Sequence, residues 1–421
     1  MSHSGEPGLV VVGAGAAGLW AALSAARRGA RVLVLEKTAR TGTKILASGG
    51  TRCNLTTTLG APEAGRLYGP RGERFLRHAL GQLSPAAVVE AFEALGVPCV
   101  EAPLEKVFPA SQRARDVRDA LERACLAAGV EFRFRQRVVG VRPAPSGYLL
   151  ELESEPPVEA ARALLCPGGQ SYPGTGTTGD GYRWLEQLGL PLVRPVPALV
   201  PLTSPQPWVH GLTGLAVQDA EVRLLDGAGR VLQRRARPVL FTHEGLSGPG
   251  AMDVSGQVAQ AASSGDPVDL AVGLDLVPDL EREELRKQLV EGASAQGSPR
   301  VARALEQRLP RRLVEAACEA LGLPPNPRCR ELDRGARHTL VEGLKGLRIP
   351  VDGTLGYDRA EVTRGGLDLR AVNPRTLEVN AHPGLYVFGE LLDVDGPIGG
   401  LNFQAAFATA ELAARHATEA P

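Results

Sequence analysis

The chain has no net charge: 47 lysines and arginines are balanced by 47 aspartates and glutamates. It has no long basic run either. Recognition of nucleic acid rests on a concentrated cationic surface, so the sequence argues against a nucleic-acid partner. Paired cysteines are also missing. Cys53, Cys99, Cys125, Cys166, Cys318 and Cys329 form no C-x-x-C pair and no Cys/His cluster with zinc spacing. Neither a disulfide framework nor a structural metal is expected, which fits a reducing cytoplasm. Long apolar runs are absent too. The stretch after Leu9 is broken by three glycines and by Arg27-Arg28, so no membrane span is expected. Met1 to Leu9 shows no basic n-region and no cleavage pattern, so no signal peptide is expected. No internal repeat or low-complexity tract occurs. A length of 421 residues suggests two or three domains with ample core.

What the chain does have is glycine at telling positions. Val10-Val11-Val12 runs straight into Gly13-Ala14-Gly15-Ala16-Ala17-Gly18, a G-x-G-x-x-G sequence. Gly13 permits a tight turn off a strand, Gly15 lets a pyrophosphate approach the backbone, and Gly18 lets the next helix pack on the sheet. That helix aims its N-terminal N–H groups and positive dipole end at the phosphates. Leu19, Trp20, Leu23 and Ala26 lie at helical spacing over 19–28, and Gly29 ends the helix. Arg31 to Leu35 reads as the second strand. Glu36 follows, where a carboxylate can accept hydrogen bonds from ribose hydroxyls. Strand, helix, strand and acid in register make a dinucleotide cradle.

Further along, residues 37–58 form a glycine-rich mixed loop. Residues 73–95 read as two helices, with Pro85 opening the second, and Ala114 to Ala127 as another. Short apolar pieces follow at Val130 to Phe134, Val138 to Val141 and Tyr148 to Leu152, which look like a meander, and at Ala163 to Cys166. Prolines punctuate 191–207 and mark a boundary. Residues 208–276 are strand-like, including Ala220 to Leu225, Val231 to Arg235 and Val268 to Leu274. Residues 279–346 turn helical, strand character returns at 347–389, and an amphipathic helix covers about Asn402 to Ala417. The expected class is therefore α/β: a Rossmann-like nucleotide-binding domain, residues 1–195 with 347–421, interrupted by a β-rich, barrel-like module at 196–278 and a small helical module at 279–346.

A second G-x-G-x-x-G, Gly174 to Gly179, tempts one to place a second nucleotide fold there. Its context differs. Pro173 precedes it, the strand ended at Cys166, and no βαβ unit follows. It reads better as a loop and helix start, Thr178 to Tyr182, closing over the first nucleotide. Near the other end, Gly384 to Phe388 is a strand that delivers Glu390, Asp393 and Asp395 to its carboxyl end, where open α/β sheets bind ligands. Gly399-Gly400-Leu401-Asn402 then starts the last helix, whose N–H groups can face an electron-rich ring or a phosphate.

Seven ordered stretches make the chain similar to the BaiN/YhiN-like family of FAD- and NAD(P)-dependent oxidoreductases, within the glutathione-reductase-type flavoproteins. They are VVGAGAAGL, TKILASGGTRCNLT, KVFPASQRARDV, CPGGQSYPGTGTTGDGY, FTHEGLSGPGAMDVS, AEVTRGGLD and GLYVFGELLDVDGPIGGLNFQAAFATA. The resemblance implies FAD in the cradle, with the ADP half held by Gly13, Gly15, Ala16, Ala17, Gly18, Glu36 and Lys37. It places Lys44 and the loop Ser48, Gly49, Gly50, Arg52, Cys53, Asn54 beside the pyrophosphate and flavin. Gly168, Gly169 and Asp180 would close the site, and Asp393, Gly400 and Asn402 would meet the ribityl chain or ring. Val138, Val139, Arg364, Gly389, Glu390, Gly399 and Leu401 complete the implied cofactor neighbours. The family commonly has glycine where this chain has Thr51 and Ala410, and asparagine where it has Thr57.

Four residues are candidates for chemistry. Cys53 beside Arg52 could be a lowered-pKa thiol or a small buried apolar group. His243 could donate a proton or be structural. Tyr172 could set a phenol over the ring or simply pack. Arg52 could anchor an anion or form a loop ion pair. Thr363-Arg364-Gly365-Gly366 reads as a tight turn near the flavin, from which Arg364 could reach the cofactor, although glycine-rich turns need no ligand to exist. The expectation is hydride exchange at flavin N5, electrons from transiently docked NAD(P)H, and a small organic substrate in a cytoplasmic enzyme. A flavin-dependent amine oxidase using O2, a flavin-binding sensor or scaffold, and a folate-using tRNA-modifying flavoprotein are the alternatives. Neutral charge speaks against the last.

Overall fold

The computed structural model describes residues 8–265 and 269–419; Val268, the first residue of one expected strand, lies outside them. The chain divides into two compact units, one of residues 1–196 with 361–421, the other of residues 197–360.

The first unit is built on a six-stranded sheet. Its strand order is Glu378–Val379, His382–Val387, Arg162–Leu165, Leu9–Val12, Val32–Glu36 and Glu131–Phe134. Leu9–Val12 sits near the middle, parallel to Arg162–Leu165 on one side and to Val32–Glu36 on the other. Central parallel strands are covered on both faces, so they read as continuous apolar runs rather than alternating ones. Every residue of Leu9–Val12 and of Val32–Glu36 is buried. Helix Ala16–Arg27 makes the crossover between them and packs against the terminal helix Leu401–Thr418. An aromatic cluster locks that pairing: Trp20 and Phe407 have centroids 4.9 Å apart, and Phe92 and Phe407 5.4 Å apart. Each such ring contributes about 1.5–3 kcal/mol by burial alone. The Trp20 indole Nε1 also donates to Glu411 Oε2 at 3.0 Å.

Glu131–Phe134 corrects one expectation. It is no part of a meander but the parallel edge strand of the main sheet, paired with Val32–Glu36. Its half-exposed alternation is what an edge strand shares with a meander strand. The antiparallel meander is instead Val138–Ala144, Gly147–Leu152 and Val158–Ala160. Thr56–Thr57, Lys106–Pro109 and Cys99–Ala102 make a further small antiparallel sheet.

The second unit holds two antiparallel sheets, and the barrel-like expectation takes that form. One orders Ala216–Val217, Val239–Phe241, Gly245–Ser247, Leu202–Thr203 and Gly353–Thr354; the other orders Val231–Ala236, Glu221–Asp226, Leu270–Asp275 and Leu347–Val351. Leu347–Val351 was expected to lie with the nucleotide-binding part, yet it pairs along its whole length with Leu270–Asp275. The helices Gly248–Ala262, Arg282–Ser294, Arg311–Ala320 and Arg334–Leu344 share one apolar core with these sheets, through residues such as Val254, Leu289, Val314 and Leu340. Sequence composition separates a β stretch from a helical one, but their apolar faces bury each other.

Candidate cofactor site

The glycines of the first motif do three different jobs. A Cβ on Gly13, whose φ is 106°, would lie 2.7 Å from the Cys166 carbonyl oxygen. A Cβ on Gly18 would lie 1.8 Å from the Gly13 carbonyl oxygen, so this glycine is required by packing between helix and strand. A Cβ on Gly15 would meet nothing within 4 Å. That is the open approach a pyrophosphate needs. Helix Ala16–Arg27 starts there with no capping side chain and no acidic residue in its first turn. Its leading N–H groups and dipole remain available for an anion. Glu36 accepts from Ala14 N and Thr38 N, both at 2.7 Å, which fixes its carboxylate at the end of the second strand.

The terminal helix repeats the device. Leu401–Thr418 begins after Gly400, again without a capping side chain or an early acid. Gly400 has φ 83°, and a Cβ there would lie 2.1 Å from Thr56 O, while one on Gly399 would meet open space. Leu401 O accepts the Tyr68 hydroxyl at 2.6 Å. The Asn402 side chain brackets Gly396, donating to its O at 2.8 Å and accepting from its N at 2.9 Å. Gly389 packs a bare backbone against Ala17, where a Cβ would come within 3.1 Å.

Two carboxylates, the buried Asp180 and the partly buried Glu390, organise the rest. Glu390 accepts from Lys44 Nζ at 2.7 and 2.8 Å, Ser171 Oγ at 2.9 Å, Thr363 N at 2.9 Å and Gly169 N at 3.3 Å. Burial raises its pKa, but Lys44 and these donors outweigh burial and hold the carboxyl below its ordinary range. Thr363 Oγ1 in turn accepts from Gln170 N and Ser171 N. Asp180 collects Lys37 Nζ at 2.7 Å, Arg137 at 3.0 Å and Arg183. Burial works against its charge, and the two hydrogen-bonded cations Arg137 and Lys37 overcome it, holding the carboxyl well below the usual range. A third group behaves differently. Asp393 is pushed up to about 6 by burial and by the nearby Asp395 and Asp368, against the pull of Arg71 3.5 Å away. Asp395 is raised by burial as well, with Arg364 3.6 Å from it.

The structure also re-sorts the candidates for chemistry. Cys53 is fully buried, and burial pushes its thiol up to about 12, so it is an apolar packing group and not a ready nucleophile. Arg52 does not activate it. Its guanidinium lies over the Phe108 ring at 4.6 Å, and its Nε donates to Gly49 O. Ser48 donates to Ile45 O and Asn54 accepts from Val107 N, so both shape the loop. Gly49 and Gly50 have φ of 54° and 65°, and Thr51, at a family glycine position, has φ 68°. Tyr172 has φ 55° and an exposed side chain. His243 is exposed and belongs to the second unit. The segment Thr363 to Gly366, expected to turn, is part of strand Val362–Leu367. Its glycines, at φ 89° and 130°, let neighbouring backbone pass where a Cβ would clash. Val138 is buried and Val139 exposed at the start of the strand that follows Arg137. Arg137, Ser171 and Thr363 are partners the sequence reading did not assign. Of these, only Ser171 and Thr363 stood in noted motifs.

A mostly parallel sheet with an uncapped helix over an open glycine, an acid ending the next strand, and a second glycine-led helix start define a dinucleotide-binding protein of the Rossmann type. The residues present suit FAD, and the chain belongs to the family described as "HI0933-like protein Rossmann domain", which matches residues 7–416. It is accordingly an FAD-dependent oxidoreductase. A ribosomal RNA dihydrouridine synthase of Escherichia coli strain K12 is 33% identical over 401 residues, 95% of each chain. A 3-dehydro-bile acid delta(4,6)-reductase of Clostridium scindens is 31% identical over 413 residues, 98% of this chain and 99% of that one. A ribosomal RNA dihydrouridine synthase of Haemophilus influenzae is 30% identical over 407 residues, 95% of this chain and 96% of that one. In fold, the chain is similar to an open-conformation flavocytochrome c3 fumarate reductase, with TM-score 0.50 at 15% identity, covering 99% of this chain and 79% of that one. No helix among the described residues is long and apolar enough to cross a membrane.

Proposed function

We propose that this protein reduces a carbon–carbon double bond conjugated to a carbonyl, with FAD re-reduced by transiently docked NAD(P)H. One observation carries the reading. Relatives matched over nearly the whole chain bear two different names, a dihydrouridine synthase and a delta(4,6)-reductase of a 3-dehydro substrate. Saturating a uracil ring and saturating a dienone are the same chemistry, hydride delivery to the β-carbon of an unsaturated carbonyl followed by protonation of the α-carbon. FAD, when bound, supplies the hydride chemistry.

The chain's own residues do the rest. Gly15 and the start of helix Ala16–Arg27 take the pyrophosphate, and Glu36 faces the ribose end. The start of helix Leu401–Thr418 places the positive end of its dipole where an electron-rich ring is favoured, while Glu390 holds Lys44 in place as an ion pair. We assign protonation of the α-carbon to Tyr172 Oη, since this side chain is exposed in the same unit, next to Ser171.

Uracil within ribosomal RNA is the substrate favoured by the Escherichia coli and Haemophilus influenzae relatives. A small dienone is the second reading, favoured by the zero net charge and by the Clostridium relative. The test is anaerobic. The yellow protein is titrated with NADH and NADPH, and the bleached protein is then offered uridine-containing ribosomal RNA and a panel of enones. Reoxidation with saturation of either substrate supports the proposal. Bleached protein that stays reduced with both, or oxidised protein that amines bleach and that only admitted O2 reoxidises with every C=C left intact, refutes it. Tyr172→Phe should slow substrate reduction and leave bleaching by NAD(P)H unchanged.

A further inference from the structure

We infer that residues 171–180, the segment holding the second G-x-G-x-x-G, form a strap that retains FAD, with Asp180 and Glu390 as positioning residues that pin its two ends. The inference rests on FAD lying in the glycine cradle.

The segment is not built as a phosphate loop. Pro173–Thr175 is a 3-10 turn, not a strand end, and the chain bends through left-handed backbone at Tyr172 (φ 55°), Gly176 (φ 101°) and Gly179 (φ 75°). Gly176 serves close approach to the cradle. A Cβ on Gly176 would lie 2.8 Å from Thr38 Cγ2 and 3.7 Å from Lys37 Cε. The strap therefore presses on the residues that follow Glu36, the ribose-end carboxylate.

Each end is tied to the N-terminal part of the chain by a lysine and a carboxylate. At one end, Ser171 Oγ accepts from Lys44 Nζ at 2.8 Å and donates to Glu390 at 2.9 Å. At the other, Lys37 Nζ donates to Thr178 Oγ1 at 2.6 Å and to Asp180 Oδ2 at 2.7 Å. Lys37 stands one residue past Glu36, and Lys44 stands at the entry to the Ser48 to Asn54 loop. The two pins thus bracket the stretch between the ribose end and the flavin end of the site. Asp180 is only 5% exposed and meets three cations. Lifting the strap would leave buried charges without partners, which strongly favours the closed arrangement.

The test is FAD release from the purified holoprotein, read as the rise in free-flavin fluorescence after dilution. Lys37→Met, Asp180→Asn and Glu390→Gln should each speed release by roughly tenfold or more, the effect of losing a hydrogen bond to a charged group. Lys37→Arg should keep the slow release, because it restores a donor to Thr178 and Asp180. Without FAD, Lys37→Met should melt below the parent yet stay folded, because Arg137 and Arg183 still pair the Asp180 carboxylate. Release at the parent rate in Lys37→Met and Glu390→Gln overturns the strap. So does equally fast release in Lys37→Arg and Lys37→Met. A parent protein that holds no FAD at all would instead overturn the cradle.

Discussion

Two glycines three residues apart should fail in opposite ways. At Gly18 an added methyl would sit 1.8 Å from the Gly13 carbonyl oxygen and 3.1 Å from Cys166 Sγ. Carbon–oxygen contacts settle near 3.3 Å, so helix and strand would have to part by roughly 1.5 Å. Overpacking of this kind costs about 1–3 kcal/mol and at times more, and the better helix propensity of alanine recovers at most about 1 kcal/mol. Gly18→Ala should therefore lose about 2 kcal/mol of stability even without FAD. Gly15 has φ −77° and ψ −168°, which any residue adopts. A methyl there meets nothing, so Gly15→Ala should lose less than about 1 kcal/mol, the N-cap preference alone. Its methyl would occupy the phosphate approach. Displacing two charge-assisted hydrogen bonds should weaken FAD binding by about 3 kcal/mol, more than a hundredfold in Kd. Chemical denaturation of the FAD-free variants and flavin titration separate the two effects. If Gly15→Ala binds FAD like the parent, or unfolds as readily as Gly18→Ala, this division of labour is wrong.

Asp393 makes stability depend on pH. Its carboxyl is raised from 3.8 to about 6, so between those values the folded state binds more protons than the unfolded state, and stability falls as pH rises through that window. Solvent screening cuts the full linkage to about 1–2 kcal/mol. FAD-free Asp393→Asn should be more stable than the parent above about pH 6 and no more stable below about pH 4; the same gap in denaturation midpoint at both ends would contradict the assignment. Thr51 holds a β-branched side chain at φ 68°, so Thr51→Gly should gain about 1 kcal/mol in thermal denaturation despite the entropy of glycine. Cys53 should resist alkylation in the native protein at mildly alkaline pH, and Cys53→Ala should keep flavin bleaching by NAD(P)H within a few-fold; rapid labelling would restore it as a reactive thiol.

The cradle was legible because its signals are local. Val10 to Val12 and Val32 to Leu35 are buried on both faces, so their hydrophobicity survives without a partner in view. Gly13, Gly15 and Gly18 mark a turn, an approach and a packing contact within six residues. Edges were harder. Glu131 to Phe134 alternates like a meander strand, and nothing in four residues says that its neighbour is Val32–Glu36. Glycines misled at Thr363 to Gly366, because a strand crowded by other backbone needs them as much as a turn does. The pins were out of reach. Lys37 and Asp180 are 143 positions apart, and Lys44 and Glu390 are 346 apart. Charged side chains carry no periodicity that would announce such partners. A reactive Cys53 was one of two open readings because Arg52 is its chain neighbour; the guanidinium turns to Phe108 and the buried, apolar reading holds.

The strand order of the first unit has a consequence for biogenesis. Leu9–Val12 is synthesised early, but its sheet neighbour Arg162–Leu165 is flanked by His382–Val387, and its crossover helix is covered by Leu401–Thr418. The nascent chain therefore carries an incomplete nucleotide pocket through translation of the whole second unit. Until the last helix leaves the ribosome, Trp20 lacks the aromatic face of Phe407. The pocket's closing wall is thus also the last element made, helix Leu401–Thr418, so completion of the nucleotide site is expected among the late events of folding.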